Sequence, residues 1–302
     1  MKFKSYPLST TDKLNALRDE AGLRPTEIAR FVEVSYQTVH RWMNSGVKPQ
    51  PAQARRIDEL FKEHIDLTAV VDVIKNAIKD PIEILKRNQK IRTTLLVDNT
   101  YHSNAIEGSR MSRRDTEMVM EGKKVRGKEL FEHFEVINHQ NALIYMLDQV
   151  KPKFKIDEAY ILRLHSIVMY NFSNKLPGKY RTGLVNLTNT EKALPSAQNV
   201  PIKMRAFVKS INKYGSNPIK KIAADHYEFE SIHPFFDGNG RVGRLIMMTQ
   251  ALSQGYPPSL ITIEDQYGYY TALGKGDMGD FKNLIQMTCD SIIRGYQLLQ
   301  IS

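Results

Sequence analysis

Hydrophobic positions recur at the three-to-four-residue spacing of amphipathic helices through most of the chain, and almost nowhere with a strand's alternation. Between residues 12 and 63 the pattern predicts short helices and short turns, with Leu14, Leu17, Ile28, Ala29, Val34, Val39 and Trp42 as a sparse apolar set. Pro25 suits the first turn of a helix starting near Thr26, and Ser35 can cap another beginning at Tyr36. A turn with two prolines, SGVKPQPA (45–52), precedes the helical AQARRIDELFKEHI. Residues 66–98 read as a bridge, helical after Asp80-Pro81. From about residue 130 the period is helical again, in FEVINHQNALIYMLDQV, IDEAYILRLHSIVM, IKMRAFVKSINKYG, IKKIAADHYEFESIH and GRVGRLIMMTQALSQG. Only GLVNLTNTEKALPSAQNVP (183–201) reads as a small hairpin or extended loop. The expectation is a mostly α chain, with a small domain at 1–65, a helical linker at 66–98 and a larger domain at 99–302.

Composition narrows the class. A chain of 302 residues, 41% hydrophobic and 25% charged, has room for two globular domains and is not a largely disordered polymer. No apolar run approaches the roughly 18 residues of a membrane span. The start, MKFKSYPLSTTDK, lacks the apolar core of a signal peptide, so no membrane partner and a cytoplasmic location are expected. A single cysteine, Cys289, excludes an intramolecular disulfide and a cysteine-rich zinc site. The net charge of +10 is spread as +3 over 1–65, +3 over 66–130 and +4 beyond, which suggests tolerance of polyanions and not a dedicated nucleic-acid tail. The basic run at 109–128 reads as a solvated face.

The densest chemistry lies in His233-Pro-Phe-Phe-Asp-Gly-Asn-Gly-Arg-Val-Gly-Arg244, a helix end, a polar loop and a helix start. Gly238 and Gly240 free the backbone to turn successive N–H groups into one concavity, and a helix opening near Gly240 adds its positive end to the same spot. Arg241 and Arg244, three residues apart, share a helical face and can both reach phosphates. Asp237 is a hard oxygen ligand placed to hold Mg²⁺ against those phosphates. His233 is the group able to take a hydroxyl proton near neutral pH. GNGRVG also spells a dinucleotide fingerprint, with Glu264 or Asp265 about 20 residues on, but the preceding AADHYEFESIHPFF is polar and helical, not a buried strand.

At these residues the chain resembles the Fic family, whose H-P-F-x-[DE]-G-N-G-R-x-x-R hallmark is matched at every fixed position from His233 to Arg244. The resemblance covers roughly residues 95–300. It implies a Fic-type helical domain with a small β-hairpin flap, and transfer of a nucleotide monophosphate, usually AMP from ATP, to a protein Ser, Thr or Tyr hydroxyl. By the same resemblance His233 is the general base and Asp237 holds Mg²⁺. Gly238, Asn239 and Gly240 line the anion hole, and Arg241 and Arg244 bind phosphates. Charge neutralisation and positioning with one base are what such a transfer requires.

Three further segments are similar to family features. Ser103-Asn-Ala-Ile-Glu107-Gly108 matches an inhibitory motif, [ST]-x-x-x-E-[GN], about 125 residues before the hallmark. Ser103 and Glu107 share a helix face and Gly108 suits a helix end. The resemblance implies that Glu107 pairs with Arg244 and denies it to the γ-phosphate. Leu176-Pro-Gly-Lys-Tyr-Arg181-Thr-Gly183 is similar to the segment leading into the flap, whose edge within residues 184–200 would pair with a target backbone. Tyr269 and Tyr270 resemble the segment beside the adenine, although a core aromatic pair accounts for them nearly as well. His165, His226 and Cys289 read as packing residues.

Residues 26–44, TEIARFVEVSYQTVHRWMN, resemble a phage-repressor helix-turn-helix, with Glu33 where the tight turn usually has glycine. If the second helix enters a major groove, Tyr36, Gln37 and Arg41 face the bases, so double-stranded DNA is an expected partner of residues 1–65. With a charge of only +3, that segment is expected to need dimerisation to bind tightly, which makes a homodimer a further expectation. The combined reading is an autoinhibited protein AMP transferase using ATP and Mg²⁺. The alternatives are removal of AMP with the inhibitory glutamate orienting water, and a DNA-binding regulator whose second half senses nucleotide.

Overall fold

The computed structural model describes residues 8–185 and 192–300, and among these every regular element is helical. The chain divides into two compact units, Met1–Ala77 and Ile78–Ser302. The bridge expected over 66–98 therefore falls partly in each: its first helix belongs to the first unit and the remainder to the second.

The first unit holds α1 (Thr10–Asp19), α2 (Pro25–Val32), α3 (Tyr36–Asn44), α4 (Pro51–His64) and α5 (Thr68–Ala77). Ser9 and Asp12 cap α1 reciprocally, and Ser35 accepts from the Thr38 N–H at the start of α3. Leu14, Leu17, Ile28, Val32, Val39 and Ile57 are fully buried and Trp42 nearly so; Val34, placed in the core by spacing, is only half-buried. The tight turn between α2 and α3 runs through Glu33 in the left-handed region, φ 58° and ψ 49°. That conformation costs a non-glycine residue about 1–2 kcal/mol. Burial of a single neighbour such as Ile28 contributes about 1.5–3 kcal/mol, so packing outweighs the turn. Tyr36, Gln37 and Arg41 are exposed on α3.

The second unit contains α6 (Pro81–Arg87), α7 (Gln89–Ile106), α8 (Arg113–Met120), α9 (Leu130–Gln149), α10 (Glu158–Val168), α11 (Val200–Ile211), α12 (Pro218–Ile232), α13 (Asn239–Ser253), α14 (Gln266–Asp277) and α15 (Lys282–Leu299). Its centre is α13, buried through Val242, Leu245, Ile246, Met247, Met248, Ala251 and Leu252, while its polar positions, among them Arg241, Arg244, Thr249 and Gln250, are buried with hydrogen-bond partners. It packs on α12, α10, α9 and α7. Gly243 makes the α12–α13 approach: a Cβ there would overlap the Glu230 carboxyl and sit 3.2 Å from the Phe229 ring. The basic run at 109–128 is a mostly exposed face over the small apolar cluster of Met111, Val119, Val125 and Val136.

The expected hairpin is not seen. Residues 183–185 and 192–196 are loop, and 186–191, the middle of the expected flap, lie outside the described residues. Both flanks are gathered by one side chain: the buried Arg181 guanidinium donates to the Gly183 and Pro195 carbonyls.

Candidate active site

The hallmark loop joins α12 to α13. α12 ends at Ile232, and His233 caps it in the left-handed region, φ 48° and ψ 62°, with its N–H on the Phe229 carbonyl. A histidine held there is strained by about 1–3 kcal/mol, so the surroundings must impose the conformation. Arg181 does much of this: its Nε donates to the His233 carbonyl at 2.8 Å and its backbone N–H to the Pro234 carbonyl at 2.9 Å. His165 braces the next residues. Its Nδ1 accepts from the Gly178 N–H at 3.0 Å, so its Nε2 carries the proton and donates to the Asp237 carbonyl at 3.1 Å, while the ring stacks on Phe235. Burial pushes His165 down to about 4, which keeps it neutral in that role. The packing role expected of His165 is thus a loop-bracing one.

Gly238 opens α13 at φ 76°, and a Cβ there would meet Met169 Sδ at 2.8 Å, so both conformation and space require glycine. The Asn239 side chain is spent on the loop: its Oδ1 accepts from the Phe235 N–H at 2.9 Å and its Nδ2 donates to the Phe235 carbonyl at 3.0 Å. Its backbone N–H is what it offers the first turn of α13. His233 lines the same pocket, with Nδ1 buried and Nε2 left to the cavity. Burial, and then Arg181, push it down to about 4, so the imidazole is neutral at pH 7.

The two arginines are almost wholly buried and each is held by a carboxylate. Arg241 donates to Glu135 Oε1 at 3.2 Å and to Asp237 Oδ1 at 3.1 Å, while its Nε, although buried, has no partner. Burial pushes the Glu135 carboxyl up, against the pull of Arg241. Arg244 donates to Ser103 Oγ at 3.0 Å, to the Ser103 carbonyl at 2.8 Å and to Glu107 Oε1 at 2.8 Å, and its buried Nη1 has no hydrogen-bond partner among the described residues. Although burial opposes its charge, Glu107 lifts Arg244 above its ordinary value. Glu107 caps the end of α7 and Gly108 follows at φ 94°. A Cβ on Gly240 would overlap the Glu107 carboxylate. The missing side chain therefore lets that carboxylate lie against the first turn of α13, where a helix N-terminus favours an anion.

α14 secures the end of α7: Gln266 Nε2 and Tyr270 Oη donate to the Ile106 carbonyl at 2.7 and 3.2 Å. Tyr270 is half-buried on the pocket wall. Tyr269, also at the pocket, is only 1% exposed, lies under the Arg244 guanidinium and meets His226 Nε2 at 2.9 Å. Tyr269 is thus both buried and part of the pocket lining, and His226 is its buried partner. Cys289 is buried as expected.

The cavity, about 310 Å³, is lined by the anion loop with Glu107, Glu230, His233 and Tyr270, and extends to Lys192, Tyr227 and Asp277. No cluster of three or more metal-ligating side chains exists among the described residues. Asp237 alone, with 42% of its side chain exposed at the pocket, is one hard carboxylate. That fits Mg²⁺ held chiefly by nucleotide phosphates and one protein ligand, and it does not fit a dedicated protein cage. Four contributors were not legible as site residues in the chain: Glu135, Glu230, the stapling Arg181 and the close-packed Gly243. Arg181 and Gly243 lay in segments with a signal of their own, whereas Glu135 and Glu230 did not.

Comparison with known proteins agrees with this geometry. Residues 155–251 match the model of the Fic/DOC family, and residues 12–70 that of a helix-turn-helix domain. The chain is 34% identical over 193 residues to a protein adenylyltransferase Fic of Nematostella vectensis, covering 62% of this chain and 44% of that protein. It is 31% identical over 219 residues to the protein adenylyltransferase Fic of Drosophila grimshawi, covering 71% of this chain and 44% of the relative. The chain thus spans under half the length of these curated relatives. Among solved structures, a Fic domain containing signaling protein from Bacteroides thetaiotaomicron superposes with a TM-score of 0.66 at 21% identity, over 77% of this chain and 95% of that one. Fic-1 from C. elegans gives 0.63 at 20% identity, over 97% and 88%.

Proposed function

From the premise that the chain carries a Fic/DOC-family domain behind a helix-turn-helix domain, we propose that it is an autoinhibited protein AMP transferase. The observation that carries the reading is the Glu107 carboxylate seated on Arg244, at the mouth of a complete anion loop, beside a neutral His233. The acceptor is a Ser, Thr or Tyr hydroxyl of a protein. His233 takes the hydroxyl proton, the oxygen bonds to the α-phosphorus of ATP, and the bond to the β-phosphate oxygen breaks to release pyrophosphate. The α13 N-terminus and Arg241 receive the phosphoryl charge, and Arg244 takes the distal phosphate once Glu107 leaves. Mg²⁺, when bound at Asp237, would neutralise phosphate charge. The loop stapled by Arg181 supplies the flap on which a target backbone is laid. ATP labelled at the α-phosphate should mark protein, whereas ATP labelled at the γ-phosphate should not. Marking by both labels, or by neither in a Glu107→Gly chain, would overturn the reading.

Asp237→Ala should raise the Mg²⁺ concentration needed for half-maximal transfer. A titration superimposable on that of the unaltered chain would remove Asp237 from the metal.

The first unit we assign to double-stranded DNA, on the exposure of Tyr36, Gln37 and Arg41 along α3. Binding should fall steeply with salt, because phosphate contacts release counterions. Gln37→Ala and Arg41→Ala should each reduce discrimination among sequences by about 1–3 kcal/mol per lost base contact. A gel-shift series showing no binding at low salt would leave the unit as a protein-binding module.

A further inference from the structure

The transfer chemistry above uses the Glu107 carboxylate at Arg244, yet a second glutamate, Glu230, lines the same pocket. Glu230 lies one turn before His233 on α12, on the side that faces α13. Its carboxyl packs directly on Gly243, at a point no larger residue would leave open. Its Oε1 is buried without a hydrogen-bond partner, and among the described residues Glu230 forms no ion pair, although Arg244 is within electrostatic reach. Arg244 in turn has a buried Nη1 without a partner. A carboxyl on the cavity wall and a buried guanidinium N–H are thus both left incomplete near Glu107, which lines the cavity and holds Arg244.

Charge counting explains why they do not pair. With Glu107 on Arg244, the buried site is balanced by one anion and one cation. A second ionised carboxyl would leave an uncompensated negative charge, which a poorly solvated site disfavours. Burial, and then the neighbouring Glu107, accordingly push the Glu230 carboxyl up to about 8, against the pull of Arg244. The acid is neutral at pH 7.

We propose that Glu230 sets the nucleotide affinity of this pocket: as a neutral acid it leaves Arg244 to a phosphate, and as a carboxylate it competes with that phosphate and repels the polyanion. This rests on the nucleotide-transfer reading above. Nucleotide therefore binds the protonated form, and affinity present below the carboxyl's own titration is lost as pH rises through it. The other groups facing Glu230 do not titrate in that window. Burial has driven His226 down to about 3 and His233 to about 4. Burial raises Tyr269 well above its ordinary value and Tyr270 to about 12. On the far wall, Lys192 is raised despite burial by its bonds to Tyr227 and Asp277.

The test uses full-length Glu107→Gly chain, so that Arg244 is open, with Mg²⁺ and a non-transferable ATP analogue. Affinity is measured by calorimetry between pH 6 and 9. With Glu107 gone, Glu230 keeps the push of burial but loses that of Glu107, so its carboxyl titrates lower than in the unaltered chain, and affinity should fall by about tenfold per pH unit above that titration. Glu107→Gly/Glu230→Gln, whose amide cannot ionise, should lose less than twofold, and Glu107→Gly/Glu230→Ala should be equally flat. Parallel pH profiles in all three chains would overturn the role of Glu230. Failure of the Glu107→Gly chain to bind the analogue at pH 7 would overturn the nucleotide-site reading itself, a separate and recognisable result.

Discussion

His233→Ala is expected to lower AMP transfer by about 10²–10⁴-fold, the usual loss when general-base catalysis is removed, while ATP still binds. The base is already neutral: burial and Arg181 hold its imidazole at about 4. The rate should therefore be flat in the neutral range as far as this group is concerned and fall only as pH drops toward 4. The substituted residue must also occupy the left-handed helix cap at φ 48°. An alanine there keeps the strain without the imidazole, so a melting temperature measured beside the rate separates loss of the base from loss of the loop. Unchanged labelling by the variant would exclude His233 as the proton acceptor.

Glu107→Gly is expected to raise transfer by about 10²-fold, with modification of the chain's own exposed hydroxyls appearing first. In the unaltered chain Arg244 is 5% exposed and bound by Glu107 Oε1 at 2.8 Å. Removing one member of a largely desolvated pair leaves the other needing an anion, and the distal phosphate of ATP is the anion at hand. Misplacement by about 1 Å can cost about 10²-fold in an in-line reaction, so release of Arg244 corrects an error of that size. Two Arg244 contacts survive the change, from Ser103 Oγ and the Ser103 carbonyl, and these should keep the guanidinium aimed. The double change Glu107→Gly with Arg244→Ala should lose the gain. Equal labelling by Glu107→Gly and unaltered chains, with ATP bound alike, would exclude inhibition by Glu107.

Much of this site was legible because its parts are close in sequence. A twelve-residue loop between two helices sets its own geometry: Gly238 must take a positive φ, and Arg241 and Arg244 must share a face. The helix end at Glu107 was legible for the same local reason, since Ser103 and Glu107 are one turn apart and Gly108 ends the turn. Its partner needed the resemblance, because no local rule brings Glu107 to an arginine 137 residues away. The turn at Glu33 was placed by the helix-turn-helix resemblance, against the residue's own preference.

What the chain by itself determined is the helical period, the small helical segment ahead of a larger one, and the glycine and polar positions of the loop from His233 to Arg244, all of which follow from backbone preference and spacing over a few turns. The tertiary structure alone decided who holds that chemistry in place. Glu135 reaches Arg241 across 106 residues, and Arg181 reaches the His233 carbonyl across 52. Tyr269 was drawn beneath Arg244 and almost out of solvent, and Asn239 was spent on the loop. The ends of the expected hairpin became loops gathered by one guanidinium, where no alternation of side chains had favoured a strand. The Glu230 carboxyl was pushed up by burial first and then by Glu107, a neighbour brought to it only by the fold. Burial and long-range electrostatics depend on what surrounds a side chain in three dimensions, and that environment is assembled only when distant helices close on α13.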